Sequence, residues 1–367
     1  MLSVDGRMLL PETSSWRRMR WYASLTEKLD IILFGRGGEI VRDGNLTIYS
    51  TSVSRPFSLL VGLIKGLRLV KKEKYDLITS QDPFELGSIA YLLKKTGGGA
   101  LQLQLHVDFF NPYFVAEMPL LNWWRVAIAK WLLPKAEGIR ANQEKMKDYL
   151  ISQLKIPQEK IAVFQNFVDY KKINQNPPRF DLRKKYYQFD FIILMASRLV
   201  KQKNILLALR ALREVIKKYP RTGLVIVGSG PEESSLKTAA GTAANNVVFE
   251  PWSDDMISYY KTSDLFLLTS NYEAWALTAV EAVAAGLPVV MTDVGCAGEF
   301  IKDGENGLVF PINDVRLLTE KILVIRENED LKKKLISGGQ KSIRPFLDLT
   351  LEKYLKIYKD SWENCLR

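Results

Sequence analysis

Short apolar runs of strand character alternate with longer amphipathic helical patterns along most of this chain, and the scheme is played twice. In the first half, "DIILF" at residues 30–34, "LTIYS" at 46–50, "YDLITS" at 75–80 and "LQLQLHV" at 101–107 read as strands. Helical patterns cover residues 16–29, 58–72 and 86–95 between them. In the second half "FIILMAS", "GLVIVGSG", "NVVFEP", "LFLLTS" and "LPVVMTD" are strands, the first followed by a helix over residues 205–219. Strands separated by helices pair in parallel through right-handed crossovers, since a tight turn cannot join parallel neighbours. The expected fold class is therefore α/β, with two successive Rossmann-like units. The 367 residues suit two domains of ordinary size. The Asn- and Pro-rich stretch 174–179 marks the joint, giving an N-terminal unit 1–174 and a C-terminal unit 175–345. A tail, 346–367, carries an amphipathic helix expected to pack back on the first unit. Ligands of open parallel sheets bind beyond the carboxyl ends of the strands, so the cleft between two such units is the expected site.

Composition narrows the classes. An apolar share of 47% with 25% charged residues is that of a globular chain with an ample core. No apolar run reaches the roughly 18–20 residues of a spanning helix, and no leader pattern opens the sequence. Cys296 and Cys365 are too few for a disulfide framework. These features point to a cytoplasmic protein. Residues 1–174 hold 25 Lys and Arg against 17 Asp and Glu, so +8 of the total +11 lies there. Such a balance suits an anionic membrane, a phosphorylated substrate or nucleic acid, but no nucleic-acid-binding motif accompanies it.

Several chemistries are excluded by absence. There is no G-x-x-x-x-G-K-[ST] and no G-x-G-x-x-G, which removes P-loop and standard dinucleotide enzymes. One histidine and two distant cysteines make no zinc site, and no D-x-D triplet is present to anchor a metal under a diphosphate. No metal and no cofactor is expected. Any phosphate charge has to be met by protein cations and helix ends.

The stretch "SNYEAWALTAVEAVAAGLPVV" holds the sharpest signal. Glu273 falls in a strand-to-helix loop and Glu281 about one turn into the following helix. Carboxylates so placed accept hydrogen bonds from the hydroxyls of a sugar and a ribose, and the helix amino terminus between them is an anion site. In "SRLVKQKN", after a buried strand, Arg198 offers a planar fork and Lys203 a mobile point charge for a diphosphate. In "VGSGPEESSL", Gly228 and Gly230 form a turn that lets a ligand approach the backbone closely. An acidic helix, a basic surface loop and a common glycine turn would each suffice for these segments taken singly.

Together, and in this order, "SRLVKQKN", "VGSGPEESSL", "TSNYEAWALTAVEAVAAGLPVV" and "DGENGLVF" resemble the donor domain of the family-4 retaining glycosyltransferases. The resemblance implies the GT-B fold, two facing Rossmann-like domains with a central cleft. It implies that Glu273 and Glu281, an E-x7-E pair, bind the donor sugar and the ribose, and that Arg198 and Lys203 grip the diphosphate. The backbone amides of Ala276, Leu277 and Thr278 would cradle the distal phosphate. Over the first half, "YDLITSQDPFELGSIAYLLKK" followed by "LQLQLHVDF" resembles the acceptor domain, which sets His106 beside the sugar. Departures are Ala274, Ala276 and Cys296 where the family often has glycine, the absence of paired glycines in the first loop, and a first strand that looks clipped.

The implied reaction moves a hexosyl group from a nucleotide-diphosphate sugar to a glycan or lipid-linked acceptor of cell-envelope type. It proceeds with retention, without metal and without an enzyme nucleophile. Two alternatives keep the same architecture, a nucleotide-sugar epimerase and a degenerate sugar-nucleotide-binding protein; a phosphorylase would need a much longer chain. Finally, "LLNWWRVAIAKWLLPK" at 120–135 and "LLVGLIKGLRLVKKEK" at 59–74 have the makings of interfacial basic helices, or of ordinary helices covering a sheet. Peripheral contact at the inner face of the membrane is the corresponding expectation.

Overall fold

The computed structural model describes residues 1–35, 38, 40–54 and 57–367. The chain forms two compact units. The first comprises Met1–Phe110, Met118–Gln165 and Leu351–Arg367, the second Asn111–Glu117 and Asn166–Thr350.

Among its described residues the first unit has eight strands: β1 (Leu2–Ser3), β2 (Leu29–Leu33), β3 (Val41–Asp43), β4 (Leu46–Ser50), β5 (Leu77–Ser80), β6 (Ala100–Gln104), β7 (Gly138–Ala141) and β8 (Ile161–Val163). Their order is β3-β4-β2-β1-β5-β6-β7-β8, parallel throughout except for the β3–β4 hairpin. The helix expected over 16–29 is shorter, Ser14–Ala23, capped by the Thr13 side chain on the Trp16 amide. It ends at Ala23, whose carbonyl accepts from the Asn45 side chain, and Leu29 belongs to β2, which is buried along its whole length. The carboxyl-terminal helix Leu351–Glu363 belongs to this unit's core: Tyr358 stacks on Tyr22 with ring centres 4.0 Å apart, and Gln104 donates to its hydroxyl at 2.9 Å.

The second unit carries β9 (Phe191–Ala196), β10 (Thr222–Val227), β11 (Val247–Glu250), β12 (Leu265–Leu268), β13 (Val289–Thr292) and β14 (Leu308–Phe310), all parallel, in the order β11-β10-β9-β12-β13-β14. Helices cover both faces, so central strands are apolar at every position rather than at alternate ones. In β9, Ile192, Leu194 and Ala196 enter one core layer, and Phe191, Ile193 and Met195 enter the other. The helix Ile205–Lys218 lays Ala208, Leu212 and Val215 on the second layer.

The boundary falls at Gln165/Asn166, upstream of the expected joint at 174/175. Val168 and Tyr170 are the reason: both lie in the core of the second unit, Tyr170 stacking on Phe346 at 5.2 Å. Of the stretch 174–179 that reads as the joint, residues 174 and 175 are instead the end of a short helix, Tyr170–Gln175, capped by Asp169. The excursion Asn111–Glu117 also joins the second unit, anchored by buried Phe114 edge-on to Tyr272.

Candidate functional site in the second unit

At the carboxyl end of β9 the chain leaves the sheet as Ser197–Arg198–Leu199, makes a short 3-10 turn at Lys201–Lys203, and enters the next helix through Asn204. Asn204 sits at φ 44°, a left-handed conformation that asparagine tolerates better than most residues. The Thr269 hydroxyl, just past β12, donates to the carbonyls of Lys203 and Asn204 at 2.9 and 3.0 Å. This clamp sets where the Lys203 side chain starts. Its ammonium pairs with Glu273, both side chains being largely buried. Arg198 is exposed and forms no ion pair among the described residues; it lies close enough to Tyr272 for its charge to bear on that hydroxyl.

Gly228 and Gly230, expected to let a ligand approach the backbone, make room for protein backbone. A Cβ on Gly228 would lie 1.9 Å from the carbonyl oxygen of Ser197, and one on Gly230 2.3 Å from that of Leu199. The space a side chain would fill is taken by the neighbouring loop. Leu199 donates to Ser229 at 2.9 Å, so the glycines hold the Arg198 loop in place by backbone contact.

The loop after β12 delivers the acidic residues. Glu273 is buried, and both of its protein hydrogen bonds fall on Oε1, from Lys203 and from the Ser270 hydroxyl at 2.7 Å. Among the described residues nothing donates to Oε2. Ala276 precedes the helix Leu277–Ala284 at φ 68°. Glycine would occupy that conformation freely, whereas an L side chain there costs about 1 kcal/mol. The amides of Leu277 and Thr278, in the first helical turn, have no acceptor four residues back within the helix. A small hollow is lined by Ser197, Lys203, Ser270 and Thr278 together, and the buried Ser197 hydroxyl has no hydrogen-bond partner among the described residues. Three separated segments of sequence thus meet at one point: a hydroxyl and a cation from the β9 loop, a serine and carboxylate from the β12 loop, and a helix amino terminus.

Glu281 is set apart from that pairing. Its Oε2 accepts a hydrogen bond from the Tyr260 hydroxyl at 2.8 Å. Burial pushes its carboxyl up to about 7, and the Tyr260 bond only partly opposes this. His106 belongs to the first unit, two residues past β6, with Nε2 3.1 Å from Gln104 Oε1. Burial, then the positive charges of Arg140 and Arg18, bring its imidazole down to about 3, so it is neutral near pH 7. Neutral, it is a hydrogen-bonding group rather than a proton donor of imidazolium type.

Sequence reasoning passed over Ser270, Tyr260 and Tyr272. Tyr272 bonds to Glu117 of the excursion through its hydroxyl, and its carbonyl accepts from Gln202 at 2.8 Å. Ser270 stands three residues before Glu273 inside a segment already singled out; Tyr260 gave no signal, being on a different helix.

Fold and site together define a transferase of the GT-B class, with cations and carboxylates gathered beyond the carboxyl ends of a parallel sheet. Residues 180–342 match the model of the glycosyl transferases group 1, and residues 24–172 that of glycosyltransferase family 4. The chain belongs to this glycosyltransferase family, group 1/family 4. It is 27% identical over 294 residues to the UDP-Gal:alpha-D-GlcNAc-diphosphoundecaprenol alpha-1,3-galactosyltransferase of Escherichia coli, covering 75% of this chain and 74% of that one. With the capsular polysaccharide biosynthesis glycosyltransferase CapM of Staphylococcus aureus it shares 26% over 306 residues, 78% and 77% of the two chains. Sucrose-phosphate synthase from Thermosynechococcus elongatus superposes with a TM-score of 0.80 at 18% identity, over 98% of each chain. HepE of Anabaena, in complex with UDP-glucose, superposes with a TM-score of 0.75 at 19% identity, over 98% of this chain and 99% of that one.

Proposed function

We propose that this glycosyltransferase binds a nucleotide-diphosphate sugar in its second unit and transfers the hexosyl group, with retention, to a glycan or lipid-linked acceptor. The observation that carries the reading is the hollow on which Ser197, Lys203, Ser270 and Thr278 converge, beside a Glu273 whose Oε2 has no protein donor among the described residues. In this reading Lys203 and exposed Arg198 meet the diphosphate, with the amides of Ala276, Leu277 and Thr278 on the distal phosphate. Glu273 Oε2 accepts from a sugar hydroxyl, and Glu281 accepts from the ribose.

Negative charge grows on the leaving diphosphate as the glycosidic bond lengthens, so fixed donors aimed there lower the barrier. Two cations and a helix end supply this charge, and the reading calls for no metal. The acceptor oxygen bonds to the anomeric carbon on the face the diphosphate leaves, and its proton passes to a departing phosphate oxygen. No glutamate forms a bond to the sugar. The E. coli relative is named for UDP-Gal and a diphosphoundecaprenol-linked acceptor, and HepE was crystallised with UDP-glucose, which supports a UDP-sugar as the first donor to try.

The test is a thermal-shift panel of UDP-, GDP- and ADP-sugars, with Arg198→Ala and Glu281→Ala as controls. A donor at about 100 times its Kd stabilises the native state by about 2.7 kcal/mol, and both variants should lose most of that shift. If no nucleotide sugar raises the melting temperature, the reading fails. A donor that binds, but is isomerised or left intact with every acceptor, would favour the epimerase or the degenerate binding protein.

A further inference from the structure

The helix Pro119–Leu132 of the first unit is apolar on both of its sides. Its protein-facing side buries Asn122, Ala129 and Leu132, and Arg125 is tied there to Asn122 at 3.1 Å and to Glu85 at 2.8 Å. Its outer side holds Leu120, Trp124 and Trp131, at positions i, i+4 and i+11 of one stripe, with Trp123 beside them. The three tryptophans are 58%, 61% and 53% exposed in chain order, and Leu120 is 84% exposed. Tryptophan is among the costliest residues to leave in water, so a stripe of them facing outward calls for a cover.

The patch extends over two neighbouring helices. Pro119–Leu132 packs along Glu85–Gly97, which packs along Phe57–Lys72. On the last, Phe57, Leu60 and Ile64 are exposed on one stripe, and it continues into exposed Arg68, Lys71 and Lys72. Basic groups are interleaved with the aromatic ones: Lys135 Nζ lies 4.3 Å from the centre of the Trp131 ring, which contacts Tyr91, itself capped by Lys95 at 5.5 Å. Residues 57–72 and 119–135 contain no aspartate or glutamate at all. Among the described residues no helix is long and apolar enough to cross a membrane.

We infer that this face of the first unit docks on an anionic lipid surface, with the tryptophans and Leu120 entering the headgroup boundary and the Lys/Arg set meeting the lipid charge. Tryptophan is the residue whose apolar body and N–H suit that boundary, and the basic residues of the two carboxylate-free segments 57–72 and 119–135 supply the matching sign. A soluble protein partner of no particular charge would not call for two neighbouring segments free of carboxylates. The inference is independent of the donor-site reading, since every residue it uses lies in the first unit.

The experiment is flotation of the full chain with phosphatidylcholine vesicles, and with vesicles in which about a third of the lipid is phosphatidylglycerol. Two variants are compared with the parent, Trp123→Ser/Trp124→Ser/Trp131→Ser and Arg68→Glu/Lys71→Glu/Lys72→Glu, and Trp252→Ala on the second unit is the control. The parent and the control should float with the anionic vesicles, less so at high salt. Each triple variant should partition at least roughly tenfold more weakly, with its circular dichroism unchanged. Should the tryptophan variant fail to fold, the charge reversal alone decides. The inference is overturned if the parent stays with the unbound fraction, if it binds neutral vesicles equally, or if the folded variants float like the parent. It is also overturned if the parent is a dimer that ignores vesicles and the tryptophan variant is a monomer, which would make the patch a contact between copies.

Discussion

Replacing Glu281 by glutamine isolates the effect of a single proton. Glutamine keeps the shape and an oxygen for the Tyr260 hydroxyl, so the 2.8 Å bond can survive while the titration disappears. Burial holds the folded carboxyl at about 7, against an ordinary value of 4.5. Between those two values the folded chain binds more protons than the unfolded chain, so the unfolding free energy falls as pH rises through the window. At 1.36 kcal/mol per pH unit the gap has an upper bound of about 3 kcal/mol. Glu281 keeps partial solvent access, which trims the expected effect to about 1–2 kcal/mol. Urea unfolding of both proteins from about pH 4 to about pH 8 measures it. The two curves should meet near the acid end, and the glutamine variant should be the more stable by that margin at the alkaline end. Donor binding adds a second readout. Ribose hydroxyls donating to the carboxylate favour its ionised form, so donor affinity should rise with pH toward about 8 in the parent and stay flat in the variant. Parallel stability curves would show that the carboxyl is not held protonated by burial, and the reasoning would fall.

Two further substitutions test how the site is held. Arg198→Ala and Lys203→Ala should each lower kcat by roughly 10²–10³, but only the latter leaves buried Glu273 without its cation and should cost about 3 kcal/mol of stability. Equal losses of melting temperature in the two would refute that division of roles. Gly228→Ala sets a methyl 1.9 Å from the Ser197 carbonyl at φ 147°. Stability should fall by about 2–4 kcal/mol and donor binding should weaken as the Arg198 loop is pushed out; a variant with parent-like stability and binding would show that the loops do not depend on each other.

The parallel sheet of the second unit is legible because β9, β10, β12 and β13 are buried on both faces and so are nearly pure apolar runs. Helix pitch makes legible that Glu273 lies in a loop and Glu281 about a turn into the helix Leu277–Ala284, while their roles as a pair rest on the resemblance alone. Strands β7 and β8 escape such reading: β8 is three residues long, and β7 carries Arg140, which folds inward over the rings of Phe164 and Tyr358. Hydrophobic pattern cannot foresee a buried guanidinium. Nor can it show that Gly228 and Gly230 make room for protein backbone, that Ser270 shares Oε1 of Glu273 with Lys203, or that Tyr260 reaches Glu281. Those relations join residues distant in sequence, and only the strand order brings them together. The joint at 174/175 differs from the observed one for a similar reason: local polarity there is real, but Tyr170 just before it is drawn into the core of the second unit and stacks on Phe346, far downstream.

The polypeptide passes from one unit to the other four times, at 110/111, 117/118, 165/166 and 350/351. No single cut can therefore yield two self-sufficient halves. A fragment ending at Gln165 would lack Tyr354, Tyr358 and Trp362, and would expose the surface of Tyr22 and Gln104 that they cover. A fragment beginning at Asn166 would lose Phe114 and Glu117 from around Tyr272. Exchange of the second unit between relatives, whether by recombination or in the laboratory, has to transplant an insert with several seams. The last seventeen residues must stay with the recipient's first unit.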